Sequence, residues 1–267
     1  MLSPDSSLTE VRAFIAQVAA DLDPQSRYIS ELLAIVTAAR DTRDLMERLL
    51  ADCRGARHAG RAVFEAMSVE DRLRCNLVTN ETVLFRFSEG EWEVLLRLVT
   101  RPRAAPVRVL SAPCSHGEEA FSIAAACLKA GVRFSIEARD IQQACVEAAR
   151  TGRLTMGFPD EYLSTPAVVA APVLAHIDFG LGDLLVAPGA PSGVAAGPWD
   201  LVVCRNFLGY FVEGVATRIA MGLGDRVSPG GALFVDSFCL SKFPGLELAL
   251  AGRGLRRSAG SPVFLRG

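Results

Sequence analysis

Val107-Arg108-Val109-Leu110, followed by Cys114-Ser115-His116-Gly117-Glu118-Glu119-Ala120-Phe121-Ser122 and an apolar run from Ile123 to Ala130, decides how this chain is read. A strand-like run feeds a polar loop with one glycine, and the loop opens into an apolar stretch of helical length. That order is how α/β proteins build a ligand site at the carboxyl edge of a parallel sheet. Glu118 and Glu119 stand where a phosphate cradle would want glycines and cations. Paired carboxylates repel phosphate and suit a cationic or hydroxyl-rich ligand. S-adenosylmethionine offers a sulfonium, an α-amine and a ribose diol.

The same texture continues outward. Further strands are expected at 133–138, 199–204 and 231–237, with helices at 119–130, 142–150 and 212–227 between them. The alternation implies an α/β domain with a mostly parallel, Rossmann-like sheet. A hairpin-like pair at 254–258 and 262–265 would add antiparallel edge strands, and the Pro-, Gly- and Ala-rich segment 186–198 reads as a loop. Upstream of Pro102 and Pro106 the chain reads as helical. Ser7-Leu8-Thr9-Glu10 fits a capping box before Val11, Phe14, Ile15, Val18 and Ala19. Later helical stretches fall at 28–39, around Leu45, Leu49 and Leu50, and at 62–67. The expected division is an all-helical domain over 1–100 and the α/β domain over 101–267. Arg40, Arg43, Arg48, Arg54, Arg57, Arg61, Arg72 and Arg74 in the helical half are either solvated helix faces or a docking face for an acidic partner.

The 267 residues suffice for one α/β domain and a smaller companion. A formal net charge of −2 argues against a general nucleic-acid binder. The seven cysteines show no CxxC pair and no Cys/His cluster, so no metal site is expected and a reducing cytoplasm fits. The N-terminus lacks signal-peptide character and no apolar run approaches the ~20 residues of a membrane span.

Several polar residues stand at strand ends. Asp140 closes the second strand, where an acidic residue bonds a ribose diol or caps the following helix. Asp183, before Leu184, would accept from an adenine amine or simply make a turn. Arg205 and Asn206 close a buried strand, and Tyr210 follows as either a site residue or an amphipathic core tyrosine.

Five runs together carry a family resemblance. Thr79-Asn80-Glu81-Thr82-Val83-Leu84-Phe85-Arg86 resembles the TNET-x-FFR run of the CheR family of chemotaxis receptor glutamate methyltransferases. Cys114 to Ser122 resembles that family's CSTGEEPYS. Asp140-Ile141 with Ala148-Ala149-Arg150-Thr151-Gly152 is similar to its second-strand segment, and Asp200 to Phe211 to its strand ending in Cys-Arg-Asn. Gly230-Gly231-Ala232-Leu233-Phe234 matches its glycine turn before a late strand.

The resemblance implies a class I methyltransferase fold, S-adenosylmethionine as cofactor, S-adenosylhomocysteine as product, and methyl transfer to a carboxylate. Asn80, Thr82 and Arg86 would reach the cofactor from a capping segment at 79–86, with Arg86 also near the reacting carboxylate. Glu119, with Glu118 beside it, would hold the methionine amine. Asp140 would take the ribose, Asp183 and Leu184 the adenine, and Arg205 and Asn206 the methionine end. Tyr210 would stand beside the methyl group. The implied partner is a methyl-acceptor protein or a small carboxylate, with no nucleic acid and no membrane insertion.

The chain also departs from the pattern. Residues 1–75 match nothing in the family's N-terminal segment, and Ala120 and His116 replace a proline and a threonine. Asp236-Ser237-Phe238 replaces His-Ser-Glu. The interval from Gly152 to Phe179 is short, so the family's small β-subdomain is expected to be trimmed to a loop or short helices. These differences keep two other functions open: the same scaffold methylating a small molecule or peptide, and a non-catalytic cofactor-binding or docking module. A nicotinamide dehydrogenase is disfavoured by the absence of GxGxxG in the first loop.

Overall fold

Two units make up the chain: Met1–Glu81 with Tyr210–Val212, and Thr82–Gly209 with Glu213–Gly267. The structure, a computed structural model, describes residues 2–3, 5–52, 68–70, 72–73, 89–153, 163–165, 168–186 and 193–267. The helical stretch expected at 62–67 and the segment 79–86 lie outside these residues.

The first unit is helical. In α1 (Leu8–Ala19) the Ser7 hydroxyl accepts from the Glu10 backbone N–H while the Glu10 carboxylate accepts from the Ser7 N–H, so the capping box forms as its spacing predicts. Val11 and Ile15 bury one face of α1. Leu32 and Val36 do so in α2 (Arg27–Ala38), and Leu45 and Leu49 in α3 (Thr42–Asp52). Residues 210–212 join this unit through backbone hydrogen bonds to the α1–α2 connection. The Asp23 N–H donates to the Tyr210 carbonyl at 2.8 Å, and the Val212 N–H to the Asp21 carbonyl at 3.1 Å. Nothing in the sequence pattern indicates this pairing.

The second unit opens with α4 (Glu89–Thr100) and then alternates: β1 (Val107–Ser111), α5 (Glu118–Lys129), β2 (Phe134–Asp140) and α6 (Gln143–Arg150). After β3 (Leu163–Thr165), β4 (Val168–Val169) and the single-turn α7 (Ala171–Leu174) come β5 (Ile177–Leu181) and β6 (Trp199–Val203). The chain closes with α8 (Glu213–Gly224), β7 (Val227–Phe234), α9 (Ser237–Lys242), α10 (Gly245–Ala251), β8 (Leu255–Arg257) and β9 (Val263–Arg266). Seven strands form one sheet in the order β5-β2-β1-β6-β7-β9-β8. The five from β5 to β7 pair in parallel, β9 runs against β7, and β8 runs against β9. The expected α/β class is therefore found, with only β9 opposed to the common direction. Parallel strands covered on both faces need continuous apolar runs, and Val107, Val109, Leu110, Leu201, Val202 and Val203 are all buried.

Two expectations are corrected. The late strand begins at Val227 rather than 231, and its glycines lie within it: Gly230 has φ +74° where the β6–β7 register shifts. Such a φ suits glycine and lets the strand bulge without ending. Residues 231–237 are thus shared between β7 and α9, which starts at Ser237 under an Asp236 cap. Between Gly152 and Phe179 the chain keeps a small antiparallel pair, β3 with β4, beside α7, instead of only a loop or short helices. Thr165, Val168 and Val169 are β-branched and favour the extended backbone.

The strand order reverses between β1 and β6, since β1 leads to β2 on one side and lies beside β6 on the other. Ligands of open α/β sheets bind at the carboxyl ends of the strands at such a point. The loop after β1 enters α5 through Gly117 at φ +92°, where a Cβ would stand 2.9 Å from the Phe121 ring and 3.0 Å from the Phe179 ring. Those two rings meet edge to face at 5.7 Å. Gly117→Ala is therefore expected to destabilise the fold by about 2–4 kcal/mol, from left-handed strain and overpacking together. A lowered denaturant midpoint at unchanged m-value checks it.

Candidate functional site

Four segments converge at the switch point: the β1–α5 loop, the end of β2, the residues after β6, and the start of α9. Asp140, the last residue of β2, is buried, and each of its carboxylate oxygens accepts from the backbone. One carboxylate oxygen accepts from the Ser115 N–H at 2.8 Å and the other from the Gln142 N–H at 2.9 Å. The residue capping α6 is Gln142, without a side-chain cap bond, so Asp140 is not the helix cap. It ties the β1 loop to the β2 turn. Burial raises its carboxyl above the usual range, opposed by the N–H groups of Gln142, Ser115 and Ile141.

The first turn of α5 places Glu118 and Glu119 at a helix N-terminus, where the backbone dipole favours negative charge. Both are buried. Glu119 Oε1 accepts from Arg205 Nη1 at 2.9 Å. Glu118 Oε2 has no hydrogen-bond partner among the described residues. Burial pushes the Glu118 carboxyl up to about 7, with Glu119 adding repulsion.

Arg205 leaves the end of β6 and also faces Glu91 of α4, with Nε and Oε1 3.3 Å apart. That approach is within ion-pair range but off the line of a hydrogen bond. Asn206 follows at φ +54°, exposed, its N–H donating to Asp236 at 3.0 Å. The same Asp236 carboxylate caps α9 by accepting from the Cys239 N–H at 2.8 Å. Tyr210 ends a short 3-10 turn (Leu208–Tyr210) and is half-buried. Asp183 is half-buried and accepts from the Leu185 N–H at 2.8 Å, so it makes the turn that its residue type favours. Leu184 lies in that turn, half-buried.

The structure thus brings Glu118, Glu119, Arg205, Asn206 and Asp140 to one sheet edge. Asn80, Thr82 and Arg86 lie outside the described residues. Glu91 and Asp236 adjoin this group through Arg205 and Asn206, and the sequence reading did not place them there. Asp236 carried a signal, an aspartate ending a strand three residues before a helical N–H. Glu91 carried only the signal of a helix start, since Ser88-Glu89-Gly90-Glu91 has capping-box spacing, and nothing linked it to Arg205.

Among the described residues, no thiol with a resolved titration is poised as a thiolate nucleophile. Cys114, Cys127, Cys145, Cys204 and Cys239 are all buried. Burial pushes the Cys114 and Cys204 thiols well above their ordinary range and Cys127 to about 12. The Cys239 thiol is also raised, by burial and then by Asp236. His116 is buried with Nε2 3.7 Å from Cys145 Sγ. Among the described residues no cluster of His, Cys, Asp and Glu is arranged to hold a metal, and no helix is long and apolar enough to cross a membrane.

Residues 80–237 match the family described as CheR methyltransferase, SAM binding domain. The chain is 33% identical to the probable biofilm formation methyltransferase WspC of Pseudomonas aeruginosa over 178 residues, 60% of this chain and 41% of that protein. It is 29% identical to chemotaxis protein methyltransferase 1 of the same organism over 60% of this chain and 66% of that one. Identity to the chemotaxis protein methyltransferase of Escherichia coli is 30%, over 67% of this chain and 66% of the relative. The chain therefore spans less than two thirds of the length of these curated relatives.

The residues fit S-adenosylmethionine. Among the described residues, Glu91, Glu118, Glu119 and Asp140 are buried and the Arg205 guanidinium faces two of them, Glu91 and Glu119, an acid excess that a cationic ligand with a diol would satisfy. Because the Glu118 carboxyl titrates near 7 when folded and near 4.5 when unfolded, the unfolded chain ionises first as pH rises. Stability is then highest below about 4.5 with respect to this group, falls by about 3 kcal/mol as pH rises from about 4.5 to about 7, and levels off above that. Glu118→Gln should remove that decline, read as urea midpoints of the ligand-free protein between pH 5 and 8. An unchanged slope would place the decline elsewhere.

Proposed function

This chain belongs to the CheR methyltransferase family, and on that premise we propose that it is a carboxyl O-methyltransferase acting on glutamate side chains of a protein. S-adenosylmethionine, when bound, supplies a methyl group on a positively charged sulfur. The observation that carries the carboxylate as acceptor is the state of the described side chains: every thiol with a resolved shift is held protonated by burial, and the raised Glu118 carboxyl lies beside Glu119, which is given to the methionine ammonium and not to the acceptor. An acceptor that arrives already ionised fits such a site, and a glutamate carboxylate at neutral pH is one (ordinary pKa about 4.3).

The chain's residues then bind, orient and exclude water. Glu119, with Glu118, receives the methionine ammonium, and Asp140 receives the ribose hydroxyls. Arg205 and Asn206 hold the methionine end, while Asp183 and Leu184 line the adenine. Asn80 and Thr82 complete the cofactor contacts from the segment 79–86. Arg86 forks onto the acceptor carboxylate, which fixes its approach while each oxygen keeps a lone pair with which to react. The Tyr210 hydroxyl positions the acceptor beside the methyl. Alignment of two bound reactants away from water supplies several kcal/mol of the rate enhancement. The likeness to chemotaxis protein methyltransferases supports a protein partner in a cytoplasmic setting.

The test is transfer from methyl-labelled S-adenosylmethionine to acidic receptor-type proteins, with the product treated at mild alkaline pH. Label released as methanol is the expected result, since carboxyl esters hydrolyse there. Label stable to base would overturn the carboxylate assignment. Tyr210→Phe should lower kcat by roughly 10- to 100-fold, as for a lost positioning contact, with the affinity for S-adenosylhomocysteine within twofold. An unaltered kcat would remove Tyr210 from the reaction.

A further inference from the structure

Arg205 is held between two carboxylates, Glu119 of α5 at 2.9 Å and Glu91 of α4 at 3.3 Å. All three side chains are nearly closed to solvent: 8% exposed for Arg205, 4% for Glu91 and 9% for Glu119. The proposed function, on which this inference rests, gives Glu119 to the methionine ammonium of the cofactor. Arg205 would then lose the partner that its Nη1 now donates to. A guanidinium this deeply buried is unstable without a counter-charge, and removing one member of a buried pair costs far more than a surface pair is worth.

We infer that Glu91 is a positioning residue for the cofactor, the fixed counter-ion that keeps Arg205 aimed at the methionine carboxylate while Glu119 exchanges one cation for another. Three features support this. Glu91 is buried in the first turn of a helix that otherwise contributes Val94, Leu95, Leu98 and Val99 to the apolar core, where the helix dipole favours its charge and its carboxylate faces the Arg205 guanidinium. Its partner is the same guanidinium that contacts Glu119. With the amino-acid end of the cofactor seated, the ammonium pairs with Glu119, while Arg205 faces the carboxylate and keeps Glu91 as its counter-charge.

Two ligands separate this role from a general structural one. S-adenosylhomocysteine carries the ammonium and carboxylate, whereas 5′-methylthioadenosine has the same nucleoside without either. Calorimetric titration of the full chain with each, for wild type and Glu91→Gln, is the experiment. The expected result is a 10-fold or greater loss of S-adenosylhomocysteine affinity in the variant, with 5′-methylthioadenosine within twofold. Equal losses for both ligands, or loss for neither, would overturn the role of Glu91 and leave the cofactor site standing. A wild type that binds neither ligand would instead overturn the cofactor reading itself, and this inference with it. If Glu91→Gln fails to fold, Glu91→Asp decides: it keeps the charge one methylene short, and the loss should again be confined to S-adenosylhomocysteine.

Discussion

Carboxylates gathered at the carboxyl edge of a parallel sheet are the constraint from which the architecture of the site follows. Glu91, Glu118, Glu119 and Asp140 are all buried, and buried charge is tolerated only when paired, hydrogen-bonded or neutralised. The chain uses each solution once or more. Asp140 spends its oxygens on backbone N–H groups, Glu119 and Glu91 share a guanidinium, and Glu118 moves its titration toward neutrality. An apolar set of side chains would have filled the same space more stably. What the acids provide is a site with a standing demand for positive charge.

The backbone of the site is organised by the same groups. Asp140 fixes the β1 loop through Ser115, and Asp236 fixes the turn after β6 through Asn206 while capping the next helix. Two strand ends that would otherwise be free loops are thereby locked to their neighbours across the sheet. Gly117 completes the arrangement with a left-handed φ that no side chain would tolerate against Phe121 and Phe179. Preorganisation of this kind lets a ligand bind without the cost of ordering the loops that hold it.

Much of this was legible in the residues. The strand–loop–helix run at 107–130 and the alternation after it gave the α/β class, because buried parallel strands must read as continuous apolar runs. The Ser7–Glu10 box is a local hydrogen-bond pattern, and it forms as its spacing predicts. The placement of Glu118, Glu119, Asp140, Arg205 and Asn206 at strand ends and helix starts followed from the position of each within its own element. Where the reading slipped, the pairing was non-local. The bulge that carries Gly230 inside β7 depends on the partner strand β6, and the β3–β4 pair depends on two short segments finding each other.

The sequence by itself determined which elements form, in what order, and which polar residues stand at their ends, because these depend on the spacing of apolar residues and on caps within a few positions. Tertiary structure alone decided what those end residues meet. Glu91 reaches Arg205 from a helix far upstream, Asp236 reaches back to Asn206, and the Tyr210 carbonyl is taken by Asp23. Each contact joins groups distant along the chain, and no periodicity encodes it. The physical reason is that an ion pair or a backbone hydrogen bond depends on distance in space, which chain folding sets only after the local elements have docked.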